Sequence, residues 1–428
     1  MNIKKQFTKY VSQNILGMIG LSCYILADSY FISKAQGANG LTALNLVLPL
    51  YNLIFAIGSM IGVGSAIRYS IEKYTNQVEA EKYLFNAICF MTVIGLMFTM
   101  VGIFLPSQLL TVLGADAAIV ETGTTYTRIF MLFSPVFMWN YLANAYTRND
   151  GAPTVAMLAT LLSSLFNIVF DYVLMFPLNM GMAGAALATA FSPIVGISVC
   201  SVHLLSKKSQ VKLRTCVPSI RRLGRSCQLG IAAFVSEMSS GVITLAFNFL
   251  ILKLTGNIGV AAYGVVANIS LVAVSVFNGV AQGSQPLISE CYGKGRKKEV
   301  MTLRTMSFVV SLVAAAVIYA LLFAGADPII GIFNHDHNAE FAAYANTGIK
   351  LYFLGIFFAG LNIVGSSFFS ATEHASAAFW ISILRGFVLI LFFAFFMSSM
   401  WGMNGVWLAY MAAELGTCAV MTYFCLKR

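Results

Sequence analysis

The sequence predicts an all-α polytopic membrane protein, with twelve transmembrane helices in two six-helix lobes related by a pseudo-two-fold axis along the membrane normal. Three observations lead there. The 428 residues are 59% apolar and 10% charged, with a mean hydropathy of +0.81. A water-soluble domain is about half apolar and a quarter charged, so this chain has too little charge to cover a wetted surface. The density of Lys and Arg alternates from one connection to the next, and the chain matches itself at an offset near half its length.

A helix needs about 20 mainly apolar residues to cross a bilayer. Such runs, broken by charged or Gly/Pro-rich joints, fall at roughly 11–33, 43–69, 84–105, 122–147, 154–177, 182–205, 226–253, 258–288, 301–324, 341–370, 376–399 and 402–426. The first is too long for the apolar region of a cleaved signal and lacks a small-residue cleavage site, so the N-terminus is expected to stay attached. The eight cysteines form no CxxC pair and read as small membrane residues rather than a disulfide or zinc framework.

Orientation follows from the basic residues. The termini and the even-numbered connections hold 21 of the 26 Lys and Arg, whereas the odd connections hold Lys34 and Lys253. Positive charge is retained on the cytoplasmic side, so both termini are expected there. The richest connection carries Lys207, Lys208, Lys212, Arg214, Arg221, Arg222 and Arg225. Because the net charge of +10 is spread over short joints and not gathered on one soluble face, it argues for the lipid bilayer as partner and against nucleic acid.

Shifted by 219 positions, Gly37, Gly40, Ala43, Val47, Gly64 and Ser65 fall on Gly256, Gly259, Ala262, Val266, Gly283 and Ser284. Shifted by 221, the run Gly181 to Ala188 falls on Gly402 to Ala409, keeping Gly181, Met182, Gly184, Leu187 and Ala188. Six spans per repeat is an even number, so the halves share one orientation. The expected organisation is an N-lobe over 1–205, a basic cytoplasmic linker over 206–225 and a C-lobe over 226–428. Lobes of this kind rock about a central site, which points to a transporter.

A charge inside the bilayer is expensive and is a functional candidate by default. The embedded acids are Asp28, Asp171, Glu237 and Glu414; the embedded bases are Arg128, Lys350 and Arg385. Thr160, Ser164, Asn167 and Asp171 recur at i, i+4, i+7 and i+11, a single helical face in the fifth span. With Asp28 and Thr189, also in the outer halves of their spans, they offer the hard oxygen ligands that suit a Na⁺ or a proton. At an offset of 223, Asn167 and Asp171 fall on Ile390 and Ala394, so the second half lacks this site. Glu237, with Ser240, Thr244 and Asn248 at helical spacing, is the main acid there, and Glu414 is a further candidate. Asn278, Gln282 and Gln285 form another polar stripe in the eighth span.

No Walker loop, GxSxG elbow or HExxH occurs, and His335-Asp336-His337 reads as a solvated outer turn. No catalytic residue, resident metal or cofactor is expected, which leaves an ion gradient as the energy source.

Several runs resemble the multidrug and toxic compound extrusion (MATE) family over nearly the whole chain. They are Asp28-Ser29-Tyr30-Phe31-Ile32 with Gly37-Ala38-Asn39-Gly40-Leu41 and Pro49, then Ala262-Tyr263-Gly264, Gln282-Gly283-Ser284-Gln285-Pro286-Leu287 and Tyr292-Gly293-Lys294-Gly295-Arg296. The resemblance implies a V-shaped central cavity and export of organic cations in exchange for Na⁺ or H⁺. It is greatest to the DinF-like branch, whose N-lobe ion and proton cluster is matched in type by Asp28, Asn144, Asn167, Asp171 and Thr189. Glu237 matches the seventh-span acid of the NorM-like branch, but that branch's tenth-span Asp has no acidic counterpart within 341–370.

The expected protein is therefore a monomeric multi-pass antiporter of the inner membrane that exports cationic, amphipathic compounds. Asp28 and Asp171 are its coupling carboxylates. A flippase for lipid-linked glycans is the alternative on related lobes, and requires Arg128, Lys350 and Arg385 to face the cavity. A membrane-embedded enzyme or receptor is the alternative of another class.

Overall fold

The computed structural model describes residues 3–334 and 338–427, so the His335-Asp336-His337 turn lies outside the described residues. Among the described residues, nine helices are long and apolar enough to cross a membrane. Two of them contain two crossings each. Ile220–Gly293 breaks at Gly256, and Ala375–Leu426 includes a break at Gly402. Ala117–Leu132 and Ser134–Asn149, joined at Phe133, supply one more. The described residues thus contain the twelve spans expected, in two lobes of six.

The breaks show why the sequence repeats. Gly37 has φ 61° and ψ −151°, and Gly256, its partner at the 219 offset, has φ 64° and ψ −155°. Gly181 and Gly402, partners at the 221 offset, have φ 53° and 55°. A side chain is strained in these regions of backbone space and glycine is not. Matching glycines therefore turn the chain at matching places in each lobe. The sequence reading missed one further pair, the short helices Pro106–Val112 and Ala326–Phe333 in the third and ninth connections.

The lobes meet toward the end that carries the Lys/Arg-rich connections. Phe7, Tyr10 and Val11 of the first span join the apolar core of the second lobe. At Gly283 of the eighth span an added Cβ would lie 2.7 Å from the Val11 Cα, and at Gly64 of the second span 1.9 Å from the Ser226 carbonyl oxygen of the seventh. Gly64 and Gly283 are also repeat partners. The same small residue thus lets each lobe lay its second helix backbone-to-backbone on the opposite lobe, where a larger residue would hold the helices apart.

Polar contacts reinforce this seam. Asn149 accepts from Ser70 Oγ at 2.7 Å and exchanges amide hydrogen bonds with Gln285 at 3.3 and 3.4 Å. The Tyr74 hydroxyl donates to Glu290 at 3.1 Å, and Arg68 pairs with Glu373. Nearer the middle of the spans, Ser22 and Ser275 share a hydroxyl hydrogen bond.

Candidate ion-coupling site

Pro153 starts the fifth span at a position where its missing N–H costs nothing. The helix then runs to Met175 with its polar stripe inward: Ser164, Asn167 and Asp171 are buried, whereas Leu162, Leu165, Val169 and Tyr172 face outward. This is the polarity that lipid imposes, since only the protein interior offers partners to polar groups.

Asp171 is fully buried and Asp28 nearly so, and their carboxyl groups lie within interaction reach of each other. Asn167 stands beside them. Oriented to satisfy both of its neighbours, its amide donates to Asp171 Oδ2 at 3.0 Å and accepts from the Thr189 hydroxyl and backbone N–H, each at 3.3 Å. One oxygen of each acid, Asp28 Oδ1 and Asp171 Oδ1, is buried without a protein donor. Two bare carboxylates in contact repel strongly in a low dielectric. The arrangement is therefore suited to hold a shared proton or a small cation between oxygens.

Asn144 is buried nearby but belongs to a neighbouring group. It donates to the Asn140 carbonyl at 3.0 Å and side-chain oxygen at 3.1 Å, and accepts from Thr160 at 3.4 Å. Glu237 lies apart from the pair and accepts from the Tyr141 hydroxyl at 3.4 Å, a contact between lobes. Gln282 is half-buried on the eighth span; Gln285, one turn on, makes the seam contacts with Asn149. Glu414 is in neither acid group. It is buried in the second lobe, where it accepts from Arg385 Nη2 at 2.8 Å and Asn362 Nδ2 at 2.7 Å.

Sequence reasoning missed Tyr24 and Tyr141. Tyr24 lies within electrostatic reach of Asp28, Asp171 and Glu237, and Tyr141 bonds Glu237, so both phenols neighbour the acids. Among 18 tyrosines nothing in their spacing marks these two. Ile390 and Ala394, the counterparts of Asn167 and Asp171, are buried and apolar, so the second lobe places no polar side chain at those two positions.

Two six-helix lobes in a polytopic chain, with acids buried inside their spans, define a membrane transporter. The MatE family model matches residues 14–173 and 232–396, and the chain belongs to that family, the multidrug and toxic compound extrusion transporters. Among characterised relatives, the multidrug export protein MepA of Staphylococcus saprophyticus is 25% identical over 420 residues, covering 97% of this chain and 92% of that protein. MepA of Staphylococcus aureus strain MRSA252 is 25% identical over 425 residues with the same coverage. Among solved structures, an outward-facing multidrug resistance MATE transporter of the MOP superfamily superposes with a TM-score of 0.93 at 21% identity, over 100% of this chain and 96% of that one. A MOP superfamily transporter from Pyrococcus furiosus, described as having a binding pocket of reverse polarity, gives 0.91 at 21% identity over the same shares.

Proposed function

We propose that the chain is a secondary antiporter of the inner membrane that exports cationic, amphipathic compounds in exchange for Na⁺ or H⁺. The observation that carries this reading is the buried Asp28–Asp171 pair with Asn167 and Thr189 beside it. The multidrug export relatives support it. The N-lobe spans 1–205 and the C-lobe 226–428, with 206–225 as cytoplasmic linker and both termini in the cytoplasm; the basic-end seam is then the inner gate. An ion or proton arriving from outside settles between the two carboxyls and repacks the first and fifth spans around them. Because it binds one lobe arrangement more tightly, it shifts the equilibrium between access states and weakens the hold on the exported cation.

The glycan-flippase alternative asks three bases to converge on a cavity. Arg385 is instead committed to Glu414, and Lys350 Nζ lies 5.5 Å from the Phe323 ring centroid.

The test is Asp171→Asn. The variant is expected to reach the membrane and bind a cationic dye, yet fail to release it on addition of Na⁺ or acid and fail to drive uphill export in proteoliposomes. Ion-triggered release and uphill export at wild-type levels would remove Asp171 from the mechanism.

A further inference from the structure

We propose that Arg385 is a built-in cation for the C-lobe. Its guanidinium fills the place beside Glu414 that a free monovalent cation would otherwise take, so Glu414 exchanges no ion. The proposal rests on the ion-coupled reading above.

The geometry is that of an occupied cation site. Glu414 is 1% exposed in the twelfth span. Its Oε1 accepts from Arg385 Nη2 at 2.8 Å and Nε at 3.2 Å, and its Oε2 accepts from Asn362 Nδ2 at 2.7 Å. The same amide holds the Glu414 backbone carbonyl at 2.8 Å, which fixes the acid in place. Asn362 Oδ1 is buried with no donor, an oxygen lone pair left beside the carboxylate. A buried carboxylate needs a positive partner, and a planar guanidinium supplies one in fixed geometry.

The backbone is arranged to deliver that partner. Arg385 sits in a π-helical turn, Leu384–Val388, of the eleventh span. Such turns insert a residue into the helical repeat and re-aim its side chains. Gly386 in the same turn abuts Ser239 of the seventh span, where an added Cβ would lie 2.5 Å from the Ser239 Cβ, so the widened turn is also packed in place.

The repeat shows what the other lobe does at this position. At the offsets of 223 and 221 that relate these spans, Arg385 and Glu414 fall on Leu162 and Pro193, one residue from Ser163 and Ser192, and none of the four carries a charge. There the fifth and sixth spans are joined by an uncharged contact, Ser163 Oγ donating to the Ser192 carbonyl at 2.6 Å. Acid and base are thus both particular to the C-lobe, as a self-neutralising pair. The lobe's counterparts of Asn167 and Asp171 are apolar.

The experiment is thermal unfolding of the purified full-length protein in detergent, titrated with NaCl or LiCl against choline chloride at constant ionic strength. An Asp28→Asn/Asp171→Asn background silences the N-lobe. With Arg385 intact, this background is expected to show no saturable response to Na⁺ or Li⁺. Adding Arg385→Met is expected to create one, a melting temperature that climbs and saturates with cation, and Glu414→Gln is expected to abolish it. Two results overturn the proposal: a saturable response in the Arg385-intact background that Glu414→Gln removes, or no response in a folded Arg385→Met protein. The first arm needs no change at Arg385 and stands even if that variant fails to fold. Failure of the ion-coupled reading is seen separately, as wild-type export in proteoliposomes that responds to neither a Na⁺ gradient nor a pH gradient.

Discussion

Replacing Gly230 by Ala tests whether the backbone seam holds the basic end of the lobes shut. The new Cβ would lie 1.8 Å from the Met60 carbonyl oxygen and 2.9 Å from the Met60 Cα, so no side-chain rotation can relieve the clash. Real Cβ contacts are essentially never under 3.0 Å and become ordinary at 3.4 Å, so the second and seventh spans must part by about 1.2–1.6 Å. Overpacking of an unyielding contact costs about 1–3 kcal/mol, and the upper part of that range shifts a two-state equilibrium by roughly 30- to 150-fold. The cost falls on the arrangement in which the lobes touch at this end, so the population is expected to move toward opening there. Spin labels at Val78 and Met301, both exposed near the basic ends of opposite lobes, report the opening as a longer-distance population. Gly64→Ala, whose Cβ would lie 1.9 Å from the Ser226 carbonyl oxygen, is expected to act alike. Gly224→Ala, with no atom near its Cβ, is expected to match wild type. An unchanged distance distribution in well-folded Gly230→Ala and Gly64→Ala proteins would refute the gate argument.

Two smaller perturbations probe the polar groups. Arg68→Glu is expected to loosen the same gate by about 1 kcal/mol, a value scaled to a partly exposed pair, and the swap Arg68→Glu/Glu373→Arg to recover much of it; labelling of a cytoplasmic-face cysteine by a water-soluble maleimide measures both. Asn167→Ala is expected to weaken ion-triggered dye release more than Asn144→Ala, because Asn167 bonds Asp171 whereas Asn144 bonds Asn140 and Thr160. Equal losses would place Asn144 in the coupling group itself.

The sequence by itself determined the membrane class, the twelve spans and the two-fold repeat. Each rests on a property local to the chain: apolar length, charge along the connections, and glycines at backbone angles that a side chain would strain. Gly37 with Gly256, and Gly181 with Gly402, were legible for that reason. The fifth-span stripe was legible too, since helical periodicity alone puts Asn167 and Asp171 on one face. Tertiary structure decided which polar groups touch. It joined Asp171 to Asp28 across more than a hundred residues of sequence, placed Asn144 with Asn140, and set Glu237 against Tyr141. It also paired Glu414 with Arg385, which lie on different spans with the helix broken at Gly402 between them. A carboxylate in a greasy run looks the same in sequence whether its partner is another acid, a phenol or a guanidinium. The partner comes from a different span, and only the packing of one helix against another fixes which side chain arrives.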